Sequence, residues 1–325
     1  MKKVLIKTLI VSLVVLVLPF AITLLVAQNK ETKSFATMDF NIYYEADGMK
    51  NKLSFDDYVL GVVAANMPAG YEMEALKAQA VIARTYALYN IALLTKDTPD
   101  KTDFTTSELG LSYISLDSLE QFWGTEDYKA YFTKLENAVF ATKDEVIVYH
   151  NELILPVFFD TGSGFTRNAS EAWGVDIPYL VSVPSKQDVT STSYLKIVEY
   201  EVADIISLIQ NYYTDLELSE DDFFEEVTVT ARDSAGYVLE IDLGNKTVSG
   251  EEFAKVIGLS SNHFYIEDYE GKVRIICNGA GHGVGLSQYG ANAMAEEGSD
   301  YKEILTYYYT GTSIIKLTGE DHPSD

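Results

Sequence analysis

The sequence predicts an α+β fold: a mixed helical and antiparallel β extracytoplasmic domain with a long cleft, carried on one N-terminal transmembrane helix. Three observations predict it. A charge-free run rich in Val, Leu and Ile fills 8–27, behind Lys2, Lys3 and Lys7. Small and apolar residues recur at helical spacing across 72–90, at Met73, Leu76, Ala80, Ala83 and Ala87. Strand patterns punctuated by turn residues dominate 145–260.

The composition narrows the function classes. A chain of 325 residues, 47% of them hydrophobic, has enough apolar surface for one large domain or two intimate subdomains. The formal net charge of -25 repels phosphate backbones and anionic membrane surfaces, which excludes nucleic acid as a natural partner. A neutral or mixed-charge polymer is compatible with it. The 23 tyrosines combine an apolar face with a hydroxyl, which suits sugar rings, although aromatic residues also favour ordinary strand packing. Cys277 stands alone, so neither an intrachain disulfide nor a cysteine-based zinc site is available.

Residues 1–7 form a cytoplasmic N-terminus. At about 1.5 Å per residue, the 8–27 run spans the ~30 Å hydrocarbon core, and the lysines before it place the N-terminus inside. A cleaved signal peptide would have a shorter apolar region and small residues before the cut. Here Leu25 stands two residues before Ala27, so an uncleaved anchor is favoured. A polar tether occupies 28–40, the domain 41–318 and a frayed tail 319–325. Within the domain, 40–44 reads as a strand with a turn at Asp47 and Gly48. A short buried helix over 56–65 is ended by Pro68 and Gly70, and the small-residue helix of 72–90 should be central, because small side chains let another backbone approach. A polar excursion of moderate helical content covers 95–127. A β-hairpin follows, with strands at 146–149 and 153–159 around His150-Asn151. Thr161-Gly162-Ser163-Gly164 makes a glycine-rich loop. The pattern is helical over 200–220, then gives three short strands over 227–248 with turns at 233–236 and at Gly244-Asn245. Ser249 and Glu252 form a capping box before a helix ending near Gly258. A loop from Gly279 to Gly285 leads into a helix over 287–297, and Asp300 and Glu303 cap one more, which stops by Gly311.

Three segments carry chemistry. The first is Gly61-Val62-Val63-Ala64-Ala65-Asn66-Met67-Pro68, continued by Glu74-Ala75-Leu76-Lys77-Ala78-Gln79-Ala80-Val81-Ile82-Ala83-Arg84-Thr85-Tyr86. The second is Phe159-Asp160-Thr161-Gly162-Ser163-Gly164-Phe165-Thr166, followed by Trp173-Gly174 and Pro178-Tyr179-Leu180. The third is Gly279-Ala280-Gly281-His282-Gly283-Val284-Gly285-Leu286-Ser287-Gln288-Tyr289-Gly290-Ala291. Together and in this order they resemble the stage II sporulation protein D family, which shares its domain with amidase-enhancer proteins. The resemblance covers about 53–314. It implies action between mother cell and forespore during engulfment, as a lytic transglycosylase on peptidoglycan strands already stripped of stem peptides. It also implies a membrane partner and an amidase/endopeptidase partner.

That reaction uses no water. The muramic acid 6-hydroxyl attacks its own anomeric carbon, and an attached nucleophile reaches an effective molarity of about 10⁵–10⁸ M. The site therefore needs no second carboxylate. It needs one group that protonates the leaving oxygen and accepts the hydroxyl proton, a role suited to a glutamate of raised pKa. The resemblance places that glutamate immediately before Met67-Pro68, where this chain has Asn66. An amide exchanges no proton near neutral pH, and loss of a general acid/base typically costs about 10²–10⁴-fold. Either another carboxylate has taken over, with Glu74 and Asp160 as candidates and Glu72 also close in sequence, or the protein is a glycan-binding scaffold. Glu74 suits a salt bridge or cap equally well. Asp160 stands where many relatives carry histidine.

Asn66, Arg84, His282 and Gln288 are expected in the middle of the cleft. Arg84 could clamp a carboxylate or sugar oxygen bidentately, or form a structural ion pair. His282 lies in a loop whose N–H groups and following helix favour an oxygen-rich or anionic ligand. Ser163, Gly164, Thr166, Ser287 and Tyr289 would contact substrate, although Ser163, Gly164 and Thr166 also suit ordinary turn chemistry. No cofactor and no metal are expected: the zinc that the resemblance associates with some members needs histidine and cysteine near the second segment, and this chain has neither there, with His150 and His263 elsewhere. The functional expectation is a membrane-anchored protein acting on peptidoglycan glycan strands in sporulation. The alternatives are a catalytically impaired glycan-binding scaffold and a purely structural membrane-complex component.

Overall fold

The computed structural model describes residues 40–46 and 48–317. The expected membrane run, the tether up to residue 39 and the 319–325 tail lie outside the described residues. Among the described residues no helix is long and apolar enough to cross a membrane.

Strand β1 (Asn41–Ala46) turns through Gly48 into the antiparallel β2 (Met49–Leu53), a strand the sequence pattern did not reveal, and pairs in parallel with β3 (Asp103–Thr105). Helix α1 (Phe55–Asn66) begins at Ser54, whose hydroxyl accepts from Asp57 N at 3.1 Å. Its Gly61 is required by packing. A Cβ there would lie 2.3 Å from Tyr113 Cε2, because the polar excursion crosses the helix at this point and Ile114 N donates to Gly61 O at 3.2 Å. Helix α2 (Met73–Asp97) runs past the expected end at residue 90, since no breaker intervenes before Pro99. The excursion then folds into a helical turn (Leu119–Trp123) and helix α3 (Thr125–Ala141), joined at Gly124 with φ +80°.

Strand β4 (Glu145–Tyr149) does turn at His150 and Asn151, both left-handed at φ 50° and 64°. The returning strand is much shorter than expected. Of the returning segment only β5 (Glu152–Leu153) pairs with β4, whose other edge pairs antiparallel with β14 (Ser313–Lys316). Pro156 offers no N–H to a continued ladder. Strand β6 (Phe158–Phe159) instead pairs in parallel with β13 (Leu286–Ser287), joining the second and third motif segments directly.

The β-rich part contains two antiparallel sheets. One has the order β10-β9-β8, from β8 (Val227–Arg232), β9 (Val238–Leu243) and β10 (Lys246–Ser249). The other has the order β11-β12-β7, from β7 (Leu195–Glu201), β11 (Phe264–Tyr269) and β12 (Lys272–Asn278). The helical pattern expected over 200–220 is divided: β7 takes Tyr200 and Glu201, and helix α4 (Val202–Tyr212) stops eight residues short of 220, before Tyr213. Phe253 of helix α5 (Gly250–Val256) packs with Ile241, Phe264 and Ile275 in the core between these elements.

A second core explains the small-residue face of α2. Ala78, Val81 and Ile82 bury against Leu286, Ala291, Ile304 and Leu305, the last three from helices α6 (Gln288–Glu296) and α7 (Tyr301–Tyr308). The capping box at α7 is complete: Asp300 accepts from Glu303 N, and Glu303 accepts from Asp300 N. The C-terminal glycine segment therefore docks on the alanine-faced helix.

Candidate functional site

The three motif segments meet at the first turn of α6. Gln288 is 5% exposed, and its Nε2 donates to the backbone carbonyl of Asn66 at 2.8 Å and to Gln79 Oε1 at 3.2 Å. Asn66 ends α1 and is partly buried. Its Nδ2 donates to Val62 O at 2.7 Å and to Ser112 O at 2.9 Å, so it ties the polar excursion to the end of the helix. Position 66 is surrounded by acceptors and calls for a donor.

A carboxylate that sequence reasoning missed organises the junction. Asp188 is fully buried. Its Oδ2 accepts from Gly162 N at 2.8 Å, and its Oδ1 accepts from the hydroxyl of Ser287 at 2.7 Å. Ser287 in turn caps α6 by accepting from Gly290 N at 3.1 Å. Burial pushes the Asp188 carboxyl up, against the pull of the Ser287 and Ser185 hydroxyls and the Gly162 N–H. A Cβ on Gly162 would lie 2.5 Å from Asp188 Oδ2, and one on Gly290 would lie 2.1 Å from the Tyr308 hydroxyl. The glycines of both motifs thus make room for buried polar contacts. No local pattern marks Asp188, because its partners lie 26 and 99 residues away.

The exposed groups around the junction are mixed. Asp160 is exposed; its carbonyl accepts from Tyr289 N at 3.0 Å, and its Oδ1 accepts from the Thr161 hydroxyl at 3.2 Å. Tyr71 is pushed up to about 12, chiefly by burial, with Asp160, Tyr289 and Asp188 adding negative field. The Tyr289 hydroxyl bonds Thr190 Oγ1 at 3.0 Å. Phe165 at 47% exposed and Trp173 at 37% exposed leave aromatic surface open on the second segment.

Several expected roles are corrected. Arg84 is 1% exposed, and its guanidinium donates to the carbonyls of Thr142 at 2.8 Å, Glu145 at 3.2 Å and Val139 at 3.5 Å. It caps the C-terminal end of α3 rather than reaching a ligand. Gln79 precedes it by five residues on α2 and so points roughly 140° away around the helix; the structure does not bring Arg84 together with Gln288. Thr166 is fully buried, its hydroxyl donating to Val181 O at 3.3 Å and accepting from Val183 N at 2.8 Å. The Ser163 hydroxyl reaches Ala235 O at 3.5 Å, and Gly164 O accepts from Ser185 N at 2.8 Å. Glu74 pairs with Lys77 at 2.6 Å and accepts from Tyr301 N at 3.1 Å, so the capping reading holds for it.

His282 also has internal partners. Its Nδ1 accepts from Val284 N at 3.1 Å, and its ring lies 5.8 Å from Phe159 and 5.7 Å from Trp173. Burial lowers its pKa to about 4, with Arg167 acting in the same direction against a backbone bond at Phe158 that raises it. The imidazole is neutral at pH 7. The loop N–H groups expected to cradle an anion are partly engaged: Gly279 N donates to Tyr194 O, Ala280 N to Thr161 O and Gly281 N to Ser260 O. Beneath the loop Arg167, 3% exposed, pairs with Asp233 at 2.5 Å and donates to His282 O at 3.0 Å. This buried ion pair is a second feature the sequence did not reveal.

The surface also carries a depression of about 420 Å³, lined by residues including Tyr43, Lys50, Lys101 and Glu108. None of its lining belongs to the three motif segments. Among the described residues no group of three or more His, Cys, Asp or Glu could hold a metal ion.

The fold and the junction define a mixed α+β domain in which a glycine-rich loop and its following helix dock on a central small-faced helix. A family model described as stage II sporulation protein matches residues 43–149. The chain is 32% identical over 289 residues to the stage II sporulation protein D of Bacillus subtilis (strain 168), covering 89% of this chain and 82% of that protein. It is 33% identical over 274 residues to the protein of that name from Bacillus amyloliquefaciens, covering 84% and 77%. It is also 28% identical over 301 residues to an amidase enhancer of Bacillus subtilis (strain 168), covering 78% of this chain and 40% of that protein. The chain belongs to the stage II sporulation protein D family.

Proposed function

We propose that this protein binds stem-peptide-free glycan strands of peptidoglycan outside the cytoplasm, as a membrane-anchored sporulation protein, and that its site holds the strand without cleaving it. One observation carries the reading. The Asn66 amide donates to two backbone carbonyls at the place where the family resemblance puts the general acid. An amide there cannot serve as a general acid or base near neutral pH. Tyr289 and Asp160, together with the open rings of Phe165 and Trp173, supply the polar and aromatic surface that sugars use, over the buried Gln288 that holds the segments together. Similarity to an amidase enhancer supports a cell-wall amidase as a partner.

Asp160 supports a second reading, lytic transglycosylation, because it is an exposed carboxylate beside Tyr71 and Tyr289. Starting from its protonated form, it would give its proton to the glycosidic oxygen as that bond breaks and recover one from the 6-hydroxyl as the new C1–O6 bond forms. The test incubates the full-length chain with denuded strands and reads bound strand and 1,6-anhydro ends by mass spectrometry. Retention without anhydro ends is expected. Anhydro ends that vanish in Asp160→Asn would establish the second reading instead, and absence of both retention and cleavage would overturn both.

A further inference from the structure

Asp160 differs from the other carboxylates of the junction in having a fixed place and an unanswered charge. It follows β6 directly, and its carbonyl accepts from Tyr289 N at 3.0 Å, which sets it against the first turn of α6. Its side chain is exposed. Oδ1 accepts from the Thr161 hydroxyl at 3.2 Å, and among the described residues no lysine, arginine or histidine forms an ion pair with it.

The cations of the three segments are engaged elsewhere. Arg84 donates to backbone carbonyls, Lys77 pairs with Glu74, and Arg167, just past the second segment, pairs with Asp233. The groups that do surround Asp160 add to its field. Tyr71 is raised first by burial and then by Asp160, Tyr289, Asp188 and Glu296 together, so these groups lie close around one phenol. Aromatic surface is at hand. Phe159, the residue before Asp160, lies 5.8 Å from the His282 ring, which lies 5.7 Å from the open ring of Trp173.

We infer that Asp160 sets the specificity of this site, selecting glycan strands whose 2-amino groups are free and protonated over strands whose amines are acetylated. The inference rests on the glycan reading of the junction and names its substrate class. An acetylated strand offers Asp160 no positive charge, since its amides are neutral and its muramic carboxylates are repelled. A 2-ammonium group offers three N–H donors and one charge. It can bond the Asp160 carboxylate as a charge-assisted pair and reach a phenol oxygen of Tyr71 or Tyr289 with a remaining donor. Any primary amine carries that group, but the open rings of Phe165 and Trp173 also take the C–H face of a pyranose, which points to an amino sugar.

The test titrates the full-length chain in detergent by calorimetry at about pH 6, where such amines hold their proton. The ligands are denuded strands before and after chemical N-deacetylation, and chitin and chitosan tetrasaccharides, which lack the muramic carboxylate. Two variants each remove one charge: Asp160→Asn, and Asp204→Asn, an exposed carboxylate in the first turn of α4 outside the three segments. Wild type and Asp204→Asn should bind the deacetylated member of each pair about three- to tenfold more tightly. Asp160→Asn should bring the two members within about twofold, because only the local pair is lost. A preference that survives in Asp160→Asn reports the field of the whole chain and overturns the inference. Equal binding of both members by wild type also overturns it, and tighter binding of the acetylated strand would hand selection to a cation such as the exposed Lys186. Displacement of the deacetylated tetrasaccharide by an equal concentration of trilysine would reduce Asp160 to a general amine site and overturn the sugar specificity. In each of these cases the glycan reading stands; wild type that binds no saccharide at all overturns that reading itself.

Discussion

At position 66 the surroundings decide what the side chain can be. Val62 O and Ser112 O both accept from the Asn66 amide, so an ionised carboxylate would face two carbonyl oxygens. A glutamate introduced there would be held toward its protonated form, the state a general acid needs. Arg84 illustrates the reverse case, a residue whose charge serves the fold. Arg84→Met should lower stability by about 2–4 kcal/mol in urea denaturation, because two buried carbonyls and one partly buried carbonyl each lose a charged donor, while strand affinity of the folded protein stays unchanged. Lost affinity at unchanged stability would return Arg84 to the binding site. His282 predicts a pH effect. Its folded pKa of about 4 lies below the unfolded value of 6.5. The stability it contributes is therefore complete above pH 6.5 and is lost as pH falls from there through about 4. Between pH 7.5 and 5 the loss should be about 1–2 kcal/mol, reduced by partial solvent access to the ring. His282→Gln should remove that component from the pH dependence of the urea midpoint; an unaltered pH profile would contradict the assignment.

Helix α6 shows how one element joins the motifs. Its Gly290 lets the Tyr308 and Ser185 hydroxyls meet at 2.8 Å, and a Cβ would collide with both. Gly290→Ala should cost about 1–3 kcal/mol of stability by overpacking, with a matching fall in thermal midpoint; a neutral substitution would mean that α6 sits more loosely on α7. Much of this framework was legible in the sequence because its signals are local. The small face of α2, the Asp300–Glu303 box and the His150-Asn151 turn all depend on residues within a few positions of one another. β7, β11 and β12 escaped because charges such as the exposed Glu199 and Lys272 and the half-buried Arg274 alternate with more buried residues in a register set by distant partners. The Asp188 staple and the Arg167–Asp233 pair escaped for the same reason, the latter spanning 66 positions. Arg84 was misplaced because a motif position reveals that a residue matters, not which face of the helix carries it.

Across the whole molecule, charge sets a condition on binding. A denuded strand carries free muramic carboxylates, and the chain has a net charge of -25. Long-range repulsion should therefore weaken capture at low ionic strength. Strand affinity should rise several-fold as salt increases from about 0.01 M to about 0.15 M, where the screening length falls from about 30 Å to about 8 Å. A fall in affinity over that range would point to direct cationic contacts.

The most direct test compares the wild-type chain with Asn66→Glu on the same denuded strands, reading retained strand and anhydro-muramyl ends from one sample. Wild type should retain strands with intact ends, and the glutamate variant should release anhydro-ended fragments. A wild-type chain that retains no strand, or a variant that binds and leaves every end intact, would contradict the account.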